Sequence, residues 1–112
     1  MKSKIKYSIE AVKDLKRIKE YILLDTFNLD YANKLLKNIV TKINQLNEFP
    51  YIGPLLSIKI KVKTNYRYLI CNKYIIFYKV DNKQIFVVRI LHSRMDYAQV
   101  FFGEKQENKV TS

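Results

Sequence analysis

Hydrophobic residues near the start of the chain recur at the spacing of an amphipathic α-helix. Ile5 and Tyr7 form a short possible strand, and Ser8 follows with a side chain that can accept a bond from a first-turn N–H and so cap a helix. The apolar stripe beyond Ser8 has spacings of four, three and four residues and consists of Ala11, Leu15, Ile18 and Ile22. This pattern predicts a first helix that packs one face against the rest of the protein.

A second helical stripe follows after a short connection. It begins at Asn28 or Asp30 and ends before Pro50, because proline lacks the donor that a helix interior needs. Its apolar members are Ala32, Leu35, Leu36, Ile39, Ile43 and Leu46. A connection this short favours two antiparallel helices, and the segment FPYIGP, residues 49–54, is expected to form a loop.

From Ile58 onward, the hydrophobic pattern changes to that of β-strands. Three segments rich in β-branched and aromatic residues are separated by short polar connections: YRYLIC (66–71), YIIFYKV (74–80) and QIFVVRIL (84–91). Connections of this length require antiparallel pairing. The predicted fold is therefore α+β, in the order β-α-α-β-β-β, with an antiparallel sheet that an antiparallel helix hairpin covers on one face.

The cross-strand register follows if two-residue turns occur at residues 72–73 and 82–83. The predicted pairs are Arg67 with Tyr78, Tyr78 with Val87, and Ile76 with Arg89. Because side chains alternate along a strand, Arg67 and Arg89 then share one face. The other face is more hydrophobic and is expected to receive the helices; it holds Ile70, Ile75, Phe77, Phe86, Val88 and Ile90. A three-residue turn would reverse this assignment.

An open sheet face with two arginines would be the beginning of a cationic site. Arg67 and Arg89 would be joined by residues at and beyond the end of the last strand, namely His92, Arg94 and Tyr97. Guanidinium groups match phosphate oxygens, and a histidine or tyrosine can move a proton on or off a ribose hydroxyl or a leaving oxygen. The group predicts a phosphodiester site without metal, since the sequence lacks the clustered carboxylates that hold catalytic Mg²⁺.

Each of these residues also has a purely structural alternative. Arg67 and Arg89 could each pair with an acidic residue from a helix. For His92 alone, the favoured interpretation is a core histidine bonded to a backbone carbonyl. The ring of Tyr97 could pack against the core.

The composition indicates one folded domain with a strongly positive field. A chain of 112 residues is too short for two adequate cores, and its net charge of +11 attracts polyanions such as nucleic acid, a ribosomal surface or an acidic protein. A lysine-rich composition inherited from an AT-rich genome is the alternative source of this charge. Tyr66, Tyr68 and Tyr74 could also form a stacking platform, which would make the chain a basic nucleic-acid-binding module.

The sequence also narrows the compartment and the chemistry. No apolar run approaches the ~20 residues of a membrane span, and the lysine-rich start lacks the apolar stretch of a secretory signal, so we expect a cytoplasmic protein without membrane contact. Cys71 is the single cysteine and is expected to be a buried, inert thiol. We expect no metal and no cofactor. The polar tail, residues 103–112, is expected to be mobile.

Taken together, these features resemble the RelE/ParE superfamily of toxins from bacterial type II toxin–antitoxin modules. The similarity runs from about Tyr7 to Phe102. Three segments carry it, and their order and spacing are more specific than any one of them: YSIEAVKDLKRIKEYI at the first helix, LNEFPYIGPLL after the second, and YRYLICNKYIIFYKVDNKQIFVVRILHSRMD through the sheet.

The resemblance implies a growth-arresting toxin with one of two targets. RelE-like members cleave messenger RNA at the ribosome without metal, as mRNA interferases, whereas ParE-like members poison DNA gyrase. Arg67 occupies the superfamily's central-strand arginine position, and the last-strand segment that carries functional residues in the ribonucleases contains Arg89, His92, Arg94 and Tyr97. The pattern RILHSRMD, with FPYIGPLL upstream, is more similar to the ParE and plasmid-stabilisation side.

The resemblance also implies a protein partner. A cognate antitoxin would fold a mostly disordered, acidic C-terminal segment over the basic groove and form a toxin–antitoxin hetero-oligomer. The sequence leaves open whether the chain also forms homo-oligomers.

Overall fold

The protein is an open four-stranded sheet with two long helices on one face. The structure, a computed structural model, describes residues 4–60 and 63–102, so the predicted tail at 103–112 lies outside the described residues. The elements are β1 (Lys4–Tyr7), α1 (Ile9–Thr26), α2 (Leu29–Asn44), a 3-10 turn (Gln45–Asn47), α3 (Leu56–Ile60), β2 (Arg67–Cys71), β3 (Tyr74–Asp81), β4 (Gln84–His92) and α4 (Tyr97–Phe102). The predicted α+β order is confirmed. The strand pattern expected from Ile58 is wrong at its start, where α3 forms instead.

The first helix begins at the side chain that was expected to cap it, and the second begins directly after Asn28, one of its two expected starts. The Ser8 hydroxyl accepts the Ala11 N–H at 2.9 Å and donates to the Val88 carbonyl at 2.8 Å, which ties the start of α1 to β4. The Asn28 side chain accepts the Tyr31 N–H at 2.9 Å and caps α2. Among the described residues, no helix is both long enough and apolar enough to cross a bilayer.

The sheet has the strand order β1-β4-β3-β2, and its last three strands are antiparallel as predicted. β1 pairs with β4 in parallel, which the long stretch of chain between them permits. Both two-residue turns are confirmed. Asn82 and Lys83 have φ values of 48° and 64°, the left-handed pair that matches the twist of a tight hairpin.

The predicted register holds for two pairs and fails at the third. Arg67 pairs with Tyr78, and Tyr78 pairs with Val87, but Ile76 pairs with Ile90 rather than with Arg89. The cause is a β-bulge opposite Phe77 and Tyr78, which inserts one extra residue into β4. The predicted Ile76–Arg89 pair and the unbroken ladder are therefore wrong.

The face prediction is also wrong, because the helix hairpin covers the opposite side of the sheet. The core under α1 and α2 contains strand residues from the face expected to be open, including Leu69, Cys71, Tyr74, Ile76, Tyr78 and Val87. On the other face, Ile75, Phe77 and Leu91 pack with Leu56 and with side chains of α4. Tyrosine rings can be buried when their hydroxyls find partners, so counting tyrosines as solvent-facing misassigned the two faces.

Asp14 joins α1 to the edge of β4 beyond the point where β1 ends. β1 pairs with β4 only as far as Val87. Three residues later, the Ile90 N–H donates to the Asp14 carboxylate at 2.9 Å. The same carboxylate accepts Arg89 through Nε at 2.8 Å and Nη2 at 3.0 Å, and Arg17 Nη1 at 3.2 Å. Asp14 is only 4% exposed, so its charge is buried but fully bonded.

The loop after α2 is fastened to the sheet through Gly53. The Gly53 N–H donates to the Tyr78 hydroxyl at 3.0 Å, and the Gly53 carbonyl accepts Arg67 Nη1 at 2.7 Å. Burial raises the pKa of Tyr78, so its hydroxyl stays protonated. A methyl group at position 53 would collide with the carbonyl oxygen of Tyr68 and lie 2.8 Å from the Tyr78 hydroxyl oxygen. The loop therefore approaches the sheet more closely than a side chain would permit.

Replacing Asp14 should be strongly destabilising. In Asp14→Ala, Arg89 and the Ile90 N–H lose their acceptor although both are largely buried. We expect the free energy of unfolding to fall by about 3 kcal/mol. This is the low end of the range for a broken buried ion pair, because Arg89 is partly exposed. Urea denaturation would measure this. Glu20→Ala, an exposed position on the same helix, is the control and should change stability by less than about 0.5 kcal/mol. Equal losses in the two variants would contradict the role given to Asp14.

Gly53→Ala should also destabilise the fold, by about 2 to 3 kcal/mol, because the colliding atoms include backbone that cannot rotate away. Tyr78→Phe removes only the hydroxyl that accepts the Gly53 N–H and should cost about 1 to 2 kcal/mol. Tyr21→Phe removes an exposed hydroxyl and serves as the control. Stability would be measured by thermal or urea unfolding. If Gly53→Ala lost no more stability than Tyr21→Phe, the close approach of the Gly53 loop to the sheet would be contradicted.

Candidate functional site

Three of the five predicted site residues lie together at the end of β4. They line a cleft of about 500 Å³ between this strand and α1, which we call the β4 cleft. Its polar and charged lining residues are Asp14, Arg17, Tyr21, Arg89, His92 and Arg94. Ile18 and Tyr74, which belong to the core under the helix hairpin, contribute the apolar wall.

Arg89 is committed to Asp14 and is not a free cation. Both of its bonds to the carboxylate are short, and its side chain is only 21% exposed. Donation of its N–H groups to the Asp14 carboxylate raises the pKa of Arg89, so the guanidinium stays charged and cannot exchange a proton with a ligand. The alternative in which Arg89 pairs with an acidic helix residue is thereby confirmed.

His92 is held at the cleft by the backbone and by an aromatic neighbour. Its Nδ1 accepts the Arg94 N–H at 3.1 Å, which fixes the turn that follows β4. Its ring meets that of Tyr74 edge-on, with centroids 5.4 Å apart and planes 78° apart. The hydrogen bond from the Arg94 N–H occupies Nδ1, so Nε2 is left for a ligand.

Two guanidinium groups remain available at the cleft mouth. Arg17 is 61% exposed and touches Asp14 through one bond at 3.2 Å. Arg94 is exposed, and within the described part of the chain its guanidinium makes no ion pair. These cations flank an apolar wall, so the β4 cleft is suited to an anion that carries an apolar group.

Arg67 lies elsewhere. It bonds to the Gly53 carbonyl, and its guanidinium carbon lies 5.0 Å from the centre of the Tyr51 ring. Arg67 pairs with Tyr78, whereas His92 pairs with Tyr74, four residues along the same strand. At ~3.3 Å per residue this separates the two sites by about 13 Å along the sheet, and β3 lies between their strands.

Tyr97 is also separate from the cleft, on the other face of the sheet. It begins α4, and its ring packs against Phe77 with centroids 5.3 Å apart. Phe77 belongs to the cluster that faces away from the α1 and α2 hairpin. The structural alternative for Tyr97, packing of its ring, is therefore confirmed.

The sequence interpretation missed the contribution of α1 to the cleft. Asp14, Arg17 and Tyr21 all come from this helix, three and four residues apart, so they share a face. A signal was present, because Asp14 lies three residues after Ala11 and four before Ile18, in line with buried positions. An acidic residue on a buried stripe indicates a buried partner of opposite charge.

The arrangement can bind an anion but does not assemble the predicted proton-transfer site. The described residues bring together one histidine and two available guanidiniums, while the predicted tyrosine and the central-strand arginine lie elsewhere. Cys71 offers no substitute nucleophile, because burial raises the pKa of its thiol, against a smaller opposing effect of Lys42.

Comparison with solved structures shows that chains from toxin–antitoxin systems share the fold of this chain. A chain from "Chromosomal ParDE TA system from P. aeruginosa" aligns with a TM-score of 0.68 and 20% identity, over 80% of this chain and 95% of that one. A chain of the toxin–antitoxin complex RelBE2 from Mycobacterium tuberculosis aligns with a TM-score of 0.51 and 14% identity, over 82% of this chain and 99% of that one. At these identities the likeness concerns the fold alone.

The sequence comparison is more specific. No curated protein matches the chain. A family profile described as ParE toxin of type II toxin–antitoxin system, parDE, matches residues 5–97, which include both long helices, β2 to β4, all but the first residue of β1, and the β4 cleft. The chain belongs to the ParE toxin family of type II toxin–antitoxin systems.

Proposed function

We propose that this toxin arrests growth by binding and poisoning DNA gyrase rather than by cleaving messenger RNA. The proposal takes the target implied for ParE-like members and assigns it to this chain, in keeping with the family profile that matches. The toxin would act in the cytoplasm, where gyrase and DNA are found.

The observation that carries this proposal is that the five residues expected to form a nuclease site do not assemble: Arg67 and Tyr97 lie outside the β4 cleft, and Arg89 within it is bonded to Asp14. General acid–base catalysis needs its groups within hydrogen-bond reach of one substrate. Here Arg67 holds the Gly53 loop and the Tyr97 ring packs on Phe77. Arg89 is bonded to Asp14. Such residues maintain a fold that presents a charged surface, which is what a toxin that acts by binding requires.

We further propose that an acidic antitoxin holds the toxin inactive in a hetero-oligomer. The two solved structures described above come from toxin–antitoxin systems. A net charge of +11 on 112 residues favours rapid association with an acidic segment, and the association should weaken with salt. The antitoxin gene is expected beside the toxin gene.

The purified chain should inhibit DNA supercoiling by gyrase and leave ribosome-bound messenger RNA intact. The two measurements are a plasmid supercoiling assay, with detection of linear DNA after protein digestion, and primer extension on translated message. Cleavage of message in the ribosome, with gyrase unaffected, would contradict the proposal. Expression that fails to arrest growth would instead favour the non-toxic nucleic-acid-binding module.

Tyr97→Phe provides a matched variant, because it keeps the ring that packs on Phe77 and removes only the hydroxyl. Growth arrest should persist in this variant. A nuclease that used the hydroxyl for proton transfer should lose on the order of 10²- to 10⁴-fold in rate. Loss of toxicity in a variant with an unchanged melting temperature would therefore refute a purely binding mode of action.

A further inference from the structure

We propose that the connection between α1 and α2 is the surface through which the toxin contacts its protein target, and that Phe27 is the anchor of this contact. Residues 24–30, which we call the hairpin tip, form this surface. The target would offer an apolar socket with a basic rim. The inference rests on the proposed function, in which the toxin acts by binding gyrase, and adds the part of the toxin that makes the contact.

Phe27 has a backbone conformation that its side chain disfavours. It directly follows α1 with φ 53° and ψ 32°, in the left-handed region, and its N–H donates to the Leu23 carbonyl at 2.8 Å. Glycine or asparagine is usual at this position, because a bulky side chain is strained there. Burial of the ring could offset the strain, but Phe27 is 87% exposed. Neither the helix end nor the core therefore accounts for a phenylalanine here, and strain that the fold does not need points to function.

Asp25, two residues earlier, also departs from what a helix end favours. The last turn of a helix carries partial negative charge and is stabilised by cations. In α1 this turn contains Asp25 and no Lys or Arg, although the chain has 21 of them. Asp25 is exposed and makes no ion pair within the described residues that would compensate. Two neighbouring departures from local preference, without a structural gain, indicate residues retained for an interaction.

The hairpin tip presents Phe27 within an ordered apolar surface. Leu24 and Leu29, on either side of it in sequence, are both more than half exposed. The backbone between them is fastened by Thr26, whose Oγ1 donates to a carbonyl one turn earlier at 2.7 Å and accepts the Asn28 N–H at 3.2 Å. Neighbouring exposed apolar side chains mark interaction sites. Because this surface is already ordered, binding it costs little conformational entropy.

The charge around the hairpin tip separates the possible occupants. In a chain of net charge +11, residues 20–33 contain Glu20, Asp25 and Asp30 and no Lys or Arg. All three acidic side chains are exposed, so they repel nucleic acid, an anionic membrane and the acidic segment proposed for the antitoxin. A second copy in a two-fold contact would bring the same carboxylates together. The occupant that fits is a different protein whose apolar socket is rimmed by cations.

Phe27→Asn tests the inference, because asparagine tolerates the left-handed conformation and lacks the ring. Its melting temperature should equal or exceed that of the parent, whereas loss of a ring needed by the fold would lower it. Binding of purified gyrase and inhibition of plasmid supercoiling should both weaken by about tenfold or more, as for an interface anchor. Phe49→Asn removes a ring that is 60% exposed outside the hairpin tip and should change both by less than about twofold.

Asp25→Lys tests the charge of the hairpin tip independently of Phe27. A cation at the negative end of α1 should raise the melting temperature. Gyrase binding should nevertheless weaken by about threefold to tenfold at low salt, and the difference should shrink at about 0.5 M NaCl, because the lost attraction is electrostatic. Glu48→Lys makes the same change of charge at an exposed position outside the tip and is the control. Equal effects of the two substitutions would overturn the inference.

Growth arrest on expression distinguishes failure of this inference from failure of the proposed function. If the parent arrests growth without acting on gyrase, the proposed target is wrong, and the hairpin tip is judged by whether Phe27→Asn and Asp25→Lys lose the arrest that Phe49→Asn keeps. Tip variants that arrest growth or inhibit gyrase as the parent does would overturn the inference. A parent that is dimeric by light scattering, with a monomeric Phe27→Asn variant, would assign the tip to a second copy and would overturn it as well.

Discussion

The position of α1 against the sheet depends on one carboxylate. β1 covers the edge of β4 only up to Val87, and beyond that point the strand would expose unpaired backbone groups next to a helix. Asp14 meets the Ile90 N–H there and binds Arg89 with both oxygens. A short acidic side chain thus continues the edge pairing that a longer first strand would have made. The hydrogen bonds from Arg89, Arg17 and the Ile90 N–H offset the cost of removing the Asp14 charge from water.

The same carboxylate determines which charges of the cleft face solvent. Arg89 is bonded on two atoms and largely buried, whereas Arg17 is bonded on one and mostly exposed. The β-bulge contributes to this difference, because it shifts Arg89 by one position relative to β3, opposite Phe77. With an unbroken ladder Arg89 would pair with Ile76. The fold and the electrostatics of the cleft therefore have a common origin at the end of β4.

Local signals in the sequence were sufficient for most of the fold. Helical spacing placed both helices, and the Ser8 cap marked the start of the first. The two-residue turns gave the hairpins and the first register pairs. The bulge was not predictable, because QIFVVRIL reads as continuous strand and contains no glycine to mark the extra residue. The face assignment failed for a related reason: Tyr78 counts as polar in sequence but is fully buried beside Gly53.

The site was less predictable than the fold because it depends on long-range pairing. The cluster near the end of β4 could be recognised from composition, yet the partner of Arg89 lies 75 residues earlier in α1. Arg67 and Tyr97 looked equivalent to Arg89 in sequence, but they are held by a loop carbonyl and by a phenylalanine ring. Charge and proximity in sequence cannot distinguish a cation that binds a ligand from one that binds the protein itself.

This distinction bears on how one fold accommodates toxins of different action. Catalysis requires several polar groups held free of internal partners and aimed at one atom, which costs stability. Recognition requires only that enough charge and apolar surface remain exposed in a fixed shape. In this chain the interior arginines are bonded to the protein, and exposed cations remain at the cleft mouth. That division stabilises the scaffold and leaves the positive field of the exposed cations intact.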